Sequence, residues 1–321
     1  MARSQNKRSD LIVSIGGGLG NQLFQFAAGL ALTGKGVLGL ETALTIPTVN
    51  AQKEPELFSY TLPENVVIEK KRRKSLFTMR STNYIMMIGK SAFRNPHIPG
   101  VWLIRLAADF VISIYMRQPL RMLAAKGIGY HEISKPKGKP FLVGYFQSYR
   151  WPSEPEVFQK LQNMTLKDEG TELPKYRSLA EQEKPLIVHV RLGDYKLMKT
   201  FGIPSKEYYR DAIEYHIANK SFERVWVVSN EIEQAKDFLP KELIGDARYI
   251  EDVENSASKT FELMRMGNAF VIGNSTYSWW AAFLSKNENP LVVAPTPWFQ
   301  GEPSPIELLP PHWRTIEAWQ N

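Results

Sequence analysis

The residues best suited to chemistry follow a short apolar run in the second half of the chain. Residues 187–195 read Ile-Val-His-Val-Arg-Leu-Gly-Asp-Tyr, so apolar and β-branched residues lead into His189, Arg191 and Asp194. A run of this length that ends near a glycine predicts a buried parallel strand, and ligands of open α/β sheets bind at the carboxyl ends of such strands. An arginine there suits an anion, because its planar fork holds two phosphate oxygens at once.

Each of these three side chains also has an ordinary structural interpretation. Arg191 either binds an anionic ligand or forms a surface salt bridge. His189 faces the same side of the strand as Arg191, and it either donates to a nucleotide base or phosphate or is a satisfied core histidine. Asp194 orients Arg191, caps the next segment or takes part in catalysis.

A second polar cluster follows a later strand. Residues 274–276, Asn-Ser-Thr, end a predicted strand and open a predicted helix. Backbone N–H groups and hydroxyls at a helix amino terminus form a phosphate cradle. Ser and Thr are equally the residues that cap ordinary helices, so the pattern alone favours neither interpretation.

A glycine-rich turn lies near the amino terminus. Residues 16–20, Gly-Gly-Gly-Leu-Gly, separate a predicted strand at 11–15 from a predicted helix at 21–32. Glycines allow a ligand to approach the backbone next to the positive end of a helix. The turn is not a dinucleotide fingerprint, because Asn21 occupies the position of its third glycine.

The sequence predicts no metal site. It has no cysteine, its five histidines are scattered, and it has no Asp-x-Asp pair of the kind that holds a divalent ion against a nucleotide-sugar diphosphate. If a diphosphate leaves during the reaction, protein groups such as Arg191 and helix ends must stabilise its charge.

Short apolar runs alternate with helical patterns along most of the 321 residues, which predicts doubly wound parallel sheets in an α/β protein. That length accommodates two domains, and the polar stretch 169–184 is the predicted boundary. The expected domains are therefore 1–170 and 171–321. Predicted strands are 11–15, 37–40, 141–146, 186–190, 225–228, 269–272 and 291–294, and predicted helices are 21–32, 157–166, 205–218, 233–238 and 259–266, with another from 279.

Basic residues are concentrated in the first domain. Residues 70–126 contain twelve Lys or Arg against one acidic residue, Asp109, a formal charge of +11 in a chain whose total is +7. This segment is predicted to be helical and to meet a membrane surface or an anionic, lipid-linked substrate, or to be a solvated helical face. Nothing resembles a nucleic-acid-reading module. The apolar run 101–116 is interrupted by charges and is shorter than a membrane span, so no transmembrane helix is predicted.

Three segments, in this order, resemble the motifs of the α-1,2-fucosyltransferase family, glycosyltransferase family 11. The resemblance covers roughly residues 11–300. The matching segments are Gly-Gly-Leu-Gly-Asn-Gln-Leu-Phe-Gln-Phe at 17–26, His-Val-Arg-Leu-Gly-Asp-Tyr at 189–195 and Asn-Ser-Thr-Tyr-Ser-Trp-Trp-Ala-Ala at 274–282, with Gly-Tyr-Phe-Gln at 144–147 as a further match.

The resemblance implies two facing Rossmann-like domains, the GT-B arrangement, and metal-independent, inverting transfer of L-fucose from GDP-fucose to the 2-hydroxyl of a terminal galactoside. Arg191 is then the diphosphate ligand, and Leu192 stands where the family has a second arginine. The remaining donor-binding residues would be Asn274, with Ser275 and Thr276 at the β-phosphate and His189 and Asp252 near the guanine.

On the acceptor side, the same resemblance leaves the catalytic base open between Glu41 and Asp194. The residues expected at the acceptor or in its loop are Gly17, Gly18, Gly20, Asn21 and Gln22. Because the sequence shows neither a signal peptide nor a membrane anchor, a bacterial-type cytoplasmic enzyme is expected. It would use no cofactor, and it would act on a surface-polysaccharide or O-antigen acceptor, lipid-linked or not, with peripheral membrane contact through 70–126.

Three other functions stay open at this point. A GT-B transferase with another nucleotide sugar or linkage would use the same site, and donor competition would separate it. A non-catalytic module would bind GDP or polysaccharide without transfer or donor hydrolysis. A nicotinamide oxidoreductase would bind NAD(P), against which the interrupted glycine fingerprint argues.

Overall fold

The computed structural model describes residues 8–42, 54–69, 97, 99–116, 118–134, 138–193 and 201–319. The chain forms two compact units. The first comprises Met1–Met164 with Ile306–Leu308, and the second comprises Thr165–Pro305 with Leu309–Asn321. The division falls a few residues before the predicted boundary at 170, and a short C-terminal segment returns to the first unit.

The first unit contains a five-stranded parallel sheet with the order β3-β2-β1-β5-β4. Its strands are β1 (Leu11–Ser14), β2 (Leu38–Glu41), β3 (Val66–Ile68), β4 (Leu120–Ala124) and β5 (Lys139–Val143). Strands β1 and β5 are parallel neighbours in the middle of this sheet, so the loops that follow them lie at the same edge.

The described part of this unit also contains three α-helices and a 3₁₀ turn at Glu56–Ser59. The helices are α1 (Leu19–Thr33), α2 (Val101–Met116) and α3 (Pro155–Gln162). The helix predicted at 21–32 is confirmed as α1, and it buries Phe24 and Phe26 completely, at 0% exposure. No helix of the described residues is long and apolar enough to cross a membrane.

Two predictions for this unit need correction. The strand predicted at 141–146 runs from Lys139 to Val143, and Phe146 lies outside the extended region of backbone conformation with a φ of 54°. The segment 70–126 was predicted to form helices interrupted around 95–100, yet its described part also contains β4, in which Leu120, Met122 and Ala124 point inward in alternation. Residues 70–96 lie outside the described residues.

The second unit contains a six-stranded parallel sheet with the order β11-β10-β9-β6-β7-β8. Its strands are β6 (Leu186–Val190), β7 (Val225–Ser229), β8 (Arg248–Ile250), β9 (Ala269–Val271), β10 (Leu291–Thr296) and β11 (Arg314–Glu317). Numbered within the unit, this is the doubly wound order of dinucleotide-binding sheets. Both sheets together confirm the predicted α/β class with Rossmann-like units.

Helices of this unit are α4 (Glu172–Glu183), α5 (Lys206–Ala218), α6 (Ile232–Phe238), α7 (Lys241–Ile244), α8 (Ala257–Met264) and α9 (Thr276–Phe283). The helix predicted at 205–218 is confirmed as α5, and Ser205 caps its start, because the Ser205 hydroxyl accepts from the Tyr208 N–H at 3.1 Å. Four elements of this unit were not predicted: α4, α7, β8 and β11. Residues 169–184 are not a plain linker but include α4, and β11 is an edge strand with mostly exposed side chains, so it has no apolar pattern to detect.

A cluster of charges joins the end of α4 to the sheet. The Glu183 carboxylate accepts hydrogen bonds from Arg248 at 2.6 Å, Arg224 at 3.0 Å and the Trp226 indole at 2.6 Å. Arg224 immediately precedes β7, Trp226 lies on β7 and Arg248 begins β8, so one carboxylate binds three side chains of two neighbouring strands. These hydrogen bonds, led by that of Arg248, lower the pKa of Glu183 from 4.5 to about 2.

Replacement of Glu183 by Gln removes that charge and keeps the shape of the side chain. We expect Glu183→Gln to lower the free energy of unfolding at pH 7 by roughly 2 kcal/mol. Because the folded-state pKa lies below the unfolded one, the wild-type contribution is complete above about pH 5 and is lost as pH falls towards 2. Denaturant titrations at pH 7 and pH 3.5 measure the free energy of unfolding. Between pH 7 and pH 3.5, Glu183→Gln should lose less of this free energy than wild type does. The control is Glu181→Gln, which removes an exposed carboxylate of the same helix and should behave like wild type.

Candidate functional site

The polar residues predicted from the sequence meet at the switch point of the second sheet. His189 is the fourth residue of β6 and Arg191 follows that strand, while Gly273, Asn274 and Ser275 follow β9. The two strands are neighbours and run parallel, so their carboxyl ends lie at the same edge of the sheet. Chain order reverses between them, which is where open α/β sheets bind ligands.

His189 is buried and its ring has unused hydrogen-bonding capacity. The residue is 4% exposed, and its Nδ1 atom has no hydrogen-bond partner among the described residues. Burial, reinforced by the neighbouring Arg191 charge, lowers the His189 pKa to about 3. The imidazole is therefore neutral at physiological pH, and one nitrogen can donate to or accept from a ligand.

Two tyrosines hold this histidine in place. The Tyr209 hydroxyl donates to the His189 carbonyl at 3.1 Å, and a Cβ on Gly273 would lie 3.0 Å from the same hydroxyl oxygen. On the other side, the Tyr277 ring lies 6.1 Å from the imidazole, and its hydroxyl donates to the Ala257 carbonyl at 2.5 Å. Sequence reasoning did not single out either tyrosine, because both resemble ordinary helix residues.

Asn274 is the second buried polar residue with spare capacity. It is 1% exposed, and its amide donates to the Phe201 carbonyl at 2.6 Å. Its Oδ1 atom has no hydrogen-bond partner among the described residues. Ser275 then caps α9 by accepting from the Tyr277 N–H, and Thr276 is half-buried in the first turn. The helix start offers N–H groups and a positive dipole end to an anion.

Leu192 follows Arg191 and stands where the motif it resembles has a second arginine. Leu192 is 3% exposed and packs in the hydrophobic core, and its N–H donates to the Asn230 side chain at 3.1 Å. Gly193 has a φ of 56°, and a Cβ there would lie 2.5 Å from the Asn230 amide nitrogen. The backbone thus turns sharply after Arg191 and leaves an apolar pocket for residue 192.

The remaining predicted site residues of this unit are Asp252 and Asp194. The Asp252 carboxylate accepts from the Asn255 N–H at 2.8 Å, within a turn where Glu254 and Asn255 both have a φ of 52°. The described contacts therefore give Asp252 a turn-forming role, and its side chain is exposed. Asp194 lies outside the described residues.

In the first unit, buried glutamines hold the glycine loop. Gln25 accepts from the Gly16 N–H at 2.8 Å and donates to the Gly144 carbonyl at 3.1 Å, which links the loops after β1 and β5. Gln22 donates to the Gly17 carbonyl at 2.7 Å and accepts from the Leu57 N–H at 2.9 Å. Both ends of the Gln22 amide thus maintain the loop.

Asn21 and Gln147 form the polar surface of this loop. Asn21 is half-buried, and its Oδ1 accepts from the Gln147 amide at 2.9 Å. Gly17 has a φ of 80°, and a Cβ there would lie 3.0 Å from Asn21 Nδ2, whereas Gly18 and Gly20 form the start of α1. Gln147 was not predicted as a site residue, although the matching segment at 144–147 was the signal that could have identified it.

Glu41, a predicted base, ends β2 in the same unit. Glu41 is 4% exposed, and its backbone carbonyl accepts a hydrogen bond from the Ile15 N–H at 2.8 Å. No three His, Cys, Asp or Glu side chains are grouped so as to hold a metal ion in the part of the chain that the structure describes.

Comparison with known protein families identifies the family of this chain. Residues 128–304 match the model of glycosyl transferase family 11, which is more than half of the 321 residues. The chain belongs to glycosyl transferase family 11. The resemblance drawn from three motifs is thereby confirmed, and this family 11 protein is a glycosyltransferase. Its matched region includes the His189 and Asn274 segments of the second unit.

Curated relatives of this glycosyltransferase come from Escherichia coli. An alpha-1,2-colitosyltransferase is 24% identical over 322 residues, which cover 96% of this chain and 99% of the relative. The O-antigen biosynthesis glycosyltransferase WbnK is 27% identical over 304 residues, or 89% of this chain and 94% of the relative. Among solved structures, NodZ alpha-1,6-fucosyltransferase soaked with GDP-fucose matches at 12% identity with a TM-score of 0.44 over 87% of this chain and 93% of that chain.

The second unit contains a matched pair of buried histidines that tests the site. The His216 ring bonds Ser221 at 2.8 Å and the Phe270 carbonyl at 3.1 Å, whereas His189 Nδ1 has no such partner. We expect His189→Leu to weaken binding of GDP at least about tenfold with stability kept. His216→Leu should leave GDP affinity unchanged and lower the free energy of unfolding by about 1–3 kcal/mol.

Calorimetric titration with GDP and denaturant titration of both variants measure these effects. Equal GDP affinity in wild type and His189→Leu would contradict a ligand-binding role for the orphaned nitrogen.

Proposed function

We propose that this glycosyltransferase transfers L-fucose from GDP-fucose to the 2-hydroxyl of a terminal galactoside, with inversion at the anomeric carbon and without a metal ion. Membership of family 11 supports sugar transfer. The α-1,2 linkage is supported by the name of one relative, and an O-antigen acceptor by that of the other. The acceptor would be a glycan of a bacterial surface polysaccharide, made on the cytoplasmic side of the membrane.

One observation carries this proposal: two buried polar atoms, His189 Nδ1 and Asn274 Oδ1, have no partner within the described part of the chain and lie at the ends of adjacent parallel strands. Buried polar atoms are normally satisfied, so a polar ligand is the simplest partner. A neutral imidazole matches the hydrogen-bonding edge of guanine, and an amide oxygen accepts from a nucleobase amine or a ribose hydroxyl.

The diphosphate would occupy the space between Arg191 and the start of α9. Arg191 can hold two phosphate oxygens. The backbone N–H groups that follow Ser275 and Thr276 can donate hydrogen bonds to the other phosphate oxygens. The same groups stabilise GDP as the leaving group, because charge grows on the β-phosphate as the bond to the sugar breaks. This is why we expect no metal ion to be needed.

Inversion requires the acceptor hydroxyl to attack the anomeric carbon from the face opposite to GDP. The C–O bond to GDP breaks as the new C–O bond forms, and the acceptor proton passes to a base within hydrogen-bond reach. Glu41 and Asp194 are the carboxylates proposed for this step. On the acceptor side, Asn21 has a half-buried amide that can bind sugar hydroxyls.

The decisive experiment measures transfer of labelled sugar to a panel of β-galactosides in EDTA. We expect wild-type protein to transfer fucose from GDP-fucose with or without EDTA, and Arg191→Ala to lose at least about a hundredfold in kcat/KM because the diphosphate loses its bidentate ligand. Linkage analysis of the product tests the α-1,2 assignment.

The matched control is Arg210→Ala, which removes an exposed arginine of the same unit that pairs with Glu242 at 2.7 Å. It should transfer at the wild-type rate. Activity that disappears in EDTA and returns with a divalent cation would overturn metal independence, and full activity in Arg191→Ala would overturn the proposed donor site.

Colitose is the second candidate for the transferred sugar, because one relative is named an alpha-1,2-colitosyltransferase. Colitose is L-fucose without its 3-hydroxyl group. A site that hydrogen-bonds this hydroxyl rejects the deoxy sugar strongly, whereas an apolar site discriminates by only about 10–200-fold. The same assay run with GDP-colitose and GDP-fucose in competition therefore identifies the donor through the ratio of the two kcat/KM values.

The base is identified by comparing two amide variants. Replacement of the true base should lower kcat by about 10²–10⁴-fold and remove the acidic limb of the pH–rate profile, while GDP affinity stays the same. Glu41→Gln and Asp194→Asn are measured side by side across pH 5–9. A profile unchanged in both variants would mean that neither carboxylate takes the proton.

A peripheral contact with the inner face of the cytoplasmic membrane is also part of the proposal. The formal charge of +11 in residues 70–126 supports it, because anionic headgroups attract basic segments by about 1 kcal/mol per residue. A lipid-linked acceptor would then be presented at the surface where the enzyme lies.

A further inference from the structure

Helix α2 has an apolar face that points to solvent. Its described side chains include six large hydrophobic residues that are more than one-third exposed, more than any other element of the described chain has. They are Trp102 at 60%, Leu103 at 55%, Ile104 at 37%, Leu106 at 46%, Phe110 at 66% and Ile114 at 60%. Residues 102, 106, 110 and 114 recur every four positions, so they form one continuous stripe. We call this stripe the α2 apolar face.

The opposite side of the same helix is anchored in the first unit. Ala108 and Ile112 are fully buried in a cluster with β4 and β5 residues. Asp109 accepts from the Met122 N–H at 2.7 Å and pairs with Arg121 at 2.9 Å. The helix is thus fixed in orientation, and its exposed apolar face is a property of the folded unit rather than of a loose segment.

Ordinary monomers scatter their exposed hydrophobic residues, and contiguous patches mark interaction sites. Water on this face would be displaced by any apolar partner. The helix is 16 residues long, or about 24 Å, which is too short to cross a hydrocarbon core of about 30 Å. A helix of this kind lies along an interface, with one face in the acyl region and the other towards the protein.

Charge selects the partner. The surrounding segment 70–126 has a formal charge of +11, and its described members Arg121 and Lys126 are exposed. A second copy of the chain would bring the same positive charge against it, which opposes self-association through this face. An anionic phospholipid surface combines the two required properties, a negative layer of headgroups and an apolar layer beneath it.

We propose that α2 is the membrane-insertion element of this protein and that it lies in the plane of an anionic leaflet with Trp102, Leu106, Phe110 and Ile114 among the acyl chains. This deepens the peripheral contact proposed above, which required only charge, and it does not depend on the donor sugar or the linkage. The rigid anchoring of α2 would hold the first unit in one orientation relative to the lipid surface.

The absence of cysteine from the chain makes a direct test possible. Phe110→Cys, labelled with an environment-sensitive fluorophore, should show a blue-shifted and stronger emission when vesicles of phosphatidylcholine and phosphatidylglycerol are added. The labelled control is Ile217→Cys on α5 of the second unit, since Ile217 is also an exposed helix residue, at 44%. Its emission should not change.

A second measurement compares vesicle affinities in sedimentation assays. We expect the double variant Phe110→Ser/Ile114→Ser to bind anionic vesicles at least about a hundredfold more weakly, about tenfold for each lost side chain. Ile217→Ser should bind like wild type. Both variants replace exposed residues, and thermal melting should show that both remain folded.

Three outcomes would overturn the proposal. Unchanged vesicle affinity in the double variant would show that the face does not insert. Binding that is lost on neutralising Lys70 to Lys74, while the label at residue 110 never responds to lipid, would leave the charge-driven contact standing and remove insertion. A dimer that forms without lipid and disappears in the double variant would identify the face as a contact between copies of the chain.

Discussion

Strand β6 is buried along all five residues, and it pairs in parallel with β7 on one side and β9 on the other. The described site of the second unit depends on this pairing. Because both neighbours run in the same direction, the carboxyl ends of β6 and β9 open at one edge, and the chain leaves that edge in opposite directions. His189 and Asn274, which are 85 residues apart in the sequence, come to the same place only through this register.

This arrangement also buries polar side chains at the strand ends. Two buried atoms, His189 Nδ1 and Asn274 Oδ1, have no partner among the described residues, whereas the comparable His216 has both ring nitrogens bonded. Because buried polar atoms are normally satisfied, this difference makes His189, rather than His216, the candidate for contact with a ligand. The lowered pKa of His189 follows from the same burial and keeps that ring neutral.

In the first unit, by contrast, the buried polar side chains next to the strand ends are hydrogen-bonded within the unit. There the loop after β1 is held by buried glutamine side chains, and Gln25 connects it to the loop after β5. These hydrogen bonds to backbone groups fix the loop within the first unit. The side chain of Asn21, which stands where a dinucleotide fingerprint has glycine, is in turn hydrogen-bonded by Gln147.

Much of the fold could be predicted because parallel strands are buried on both faces and therefore appear as apolar runs. That signal identified β1, β6, β7 and β9, and Ser205 marked the start of α5 by its capping chemistry. It failed for β11, whose side chains are mostly exposed, and for β4, which lies in a basic segment that looked helical. The α4 helix was missed because only Leu173 and Ala180 of its residues are buried, so its pattern is that of a polar linker.

By itself the sequence determined which residues could meet a diphosphate, since Arg191 and the Asn274–Thr276 segment carry the required chemistry in any fold that brings strand ends together. It also determined the excess of positive charge in 70–126. Only the tertiary structure decided that Gln22 maintains a loop, that Asp252 forms a turn and that residue 192 is an inward-facing core position. The physical reason is that a hydrogen bond or a buried contact depends on partners distant in the sequence, such as Leu57 for Gln22, whereas charge and hydrogen-bonding capacity belong to each residue alone.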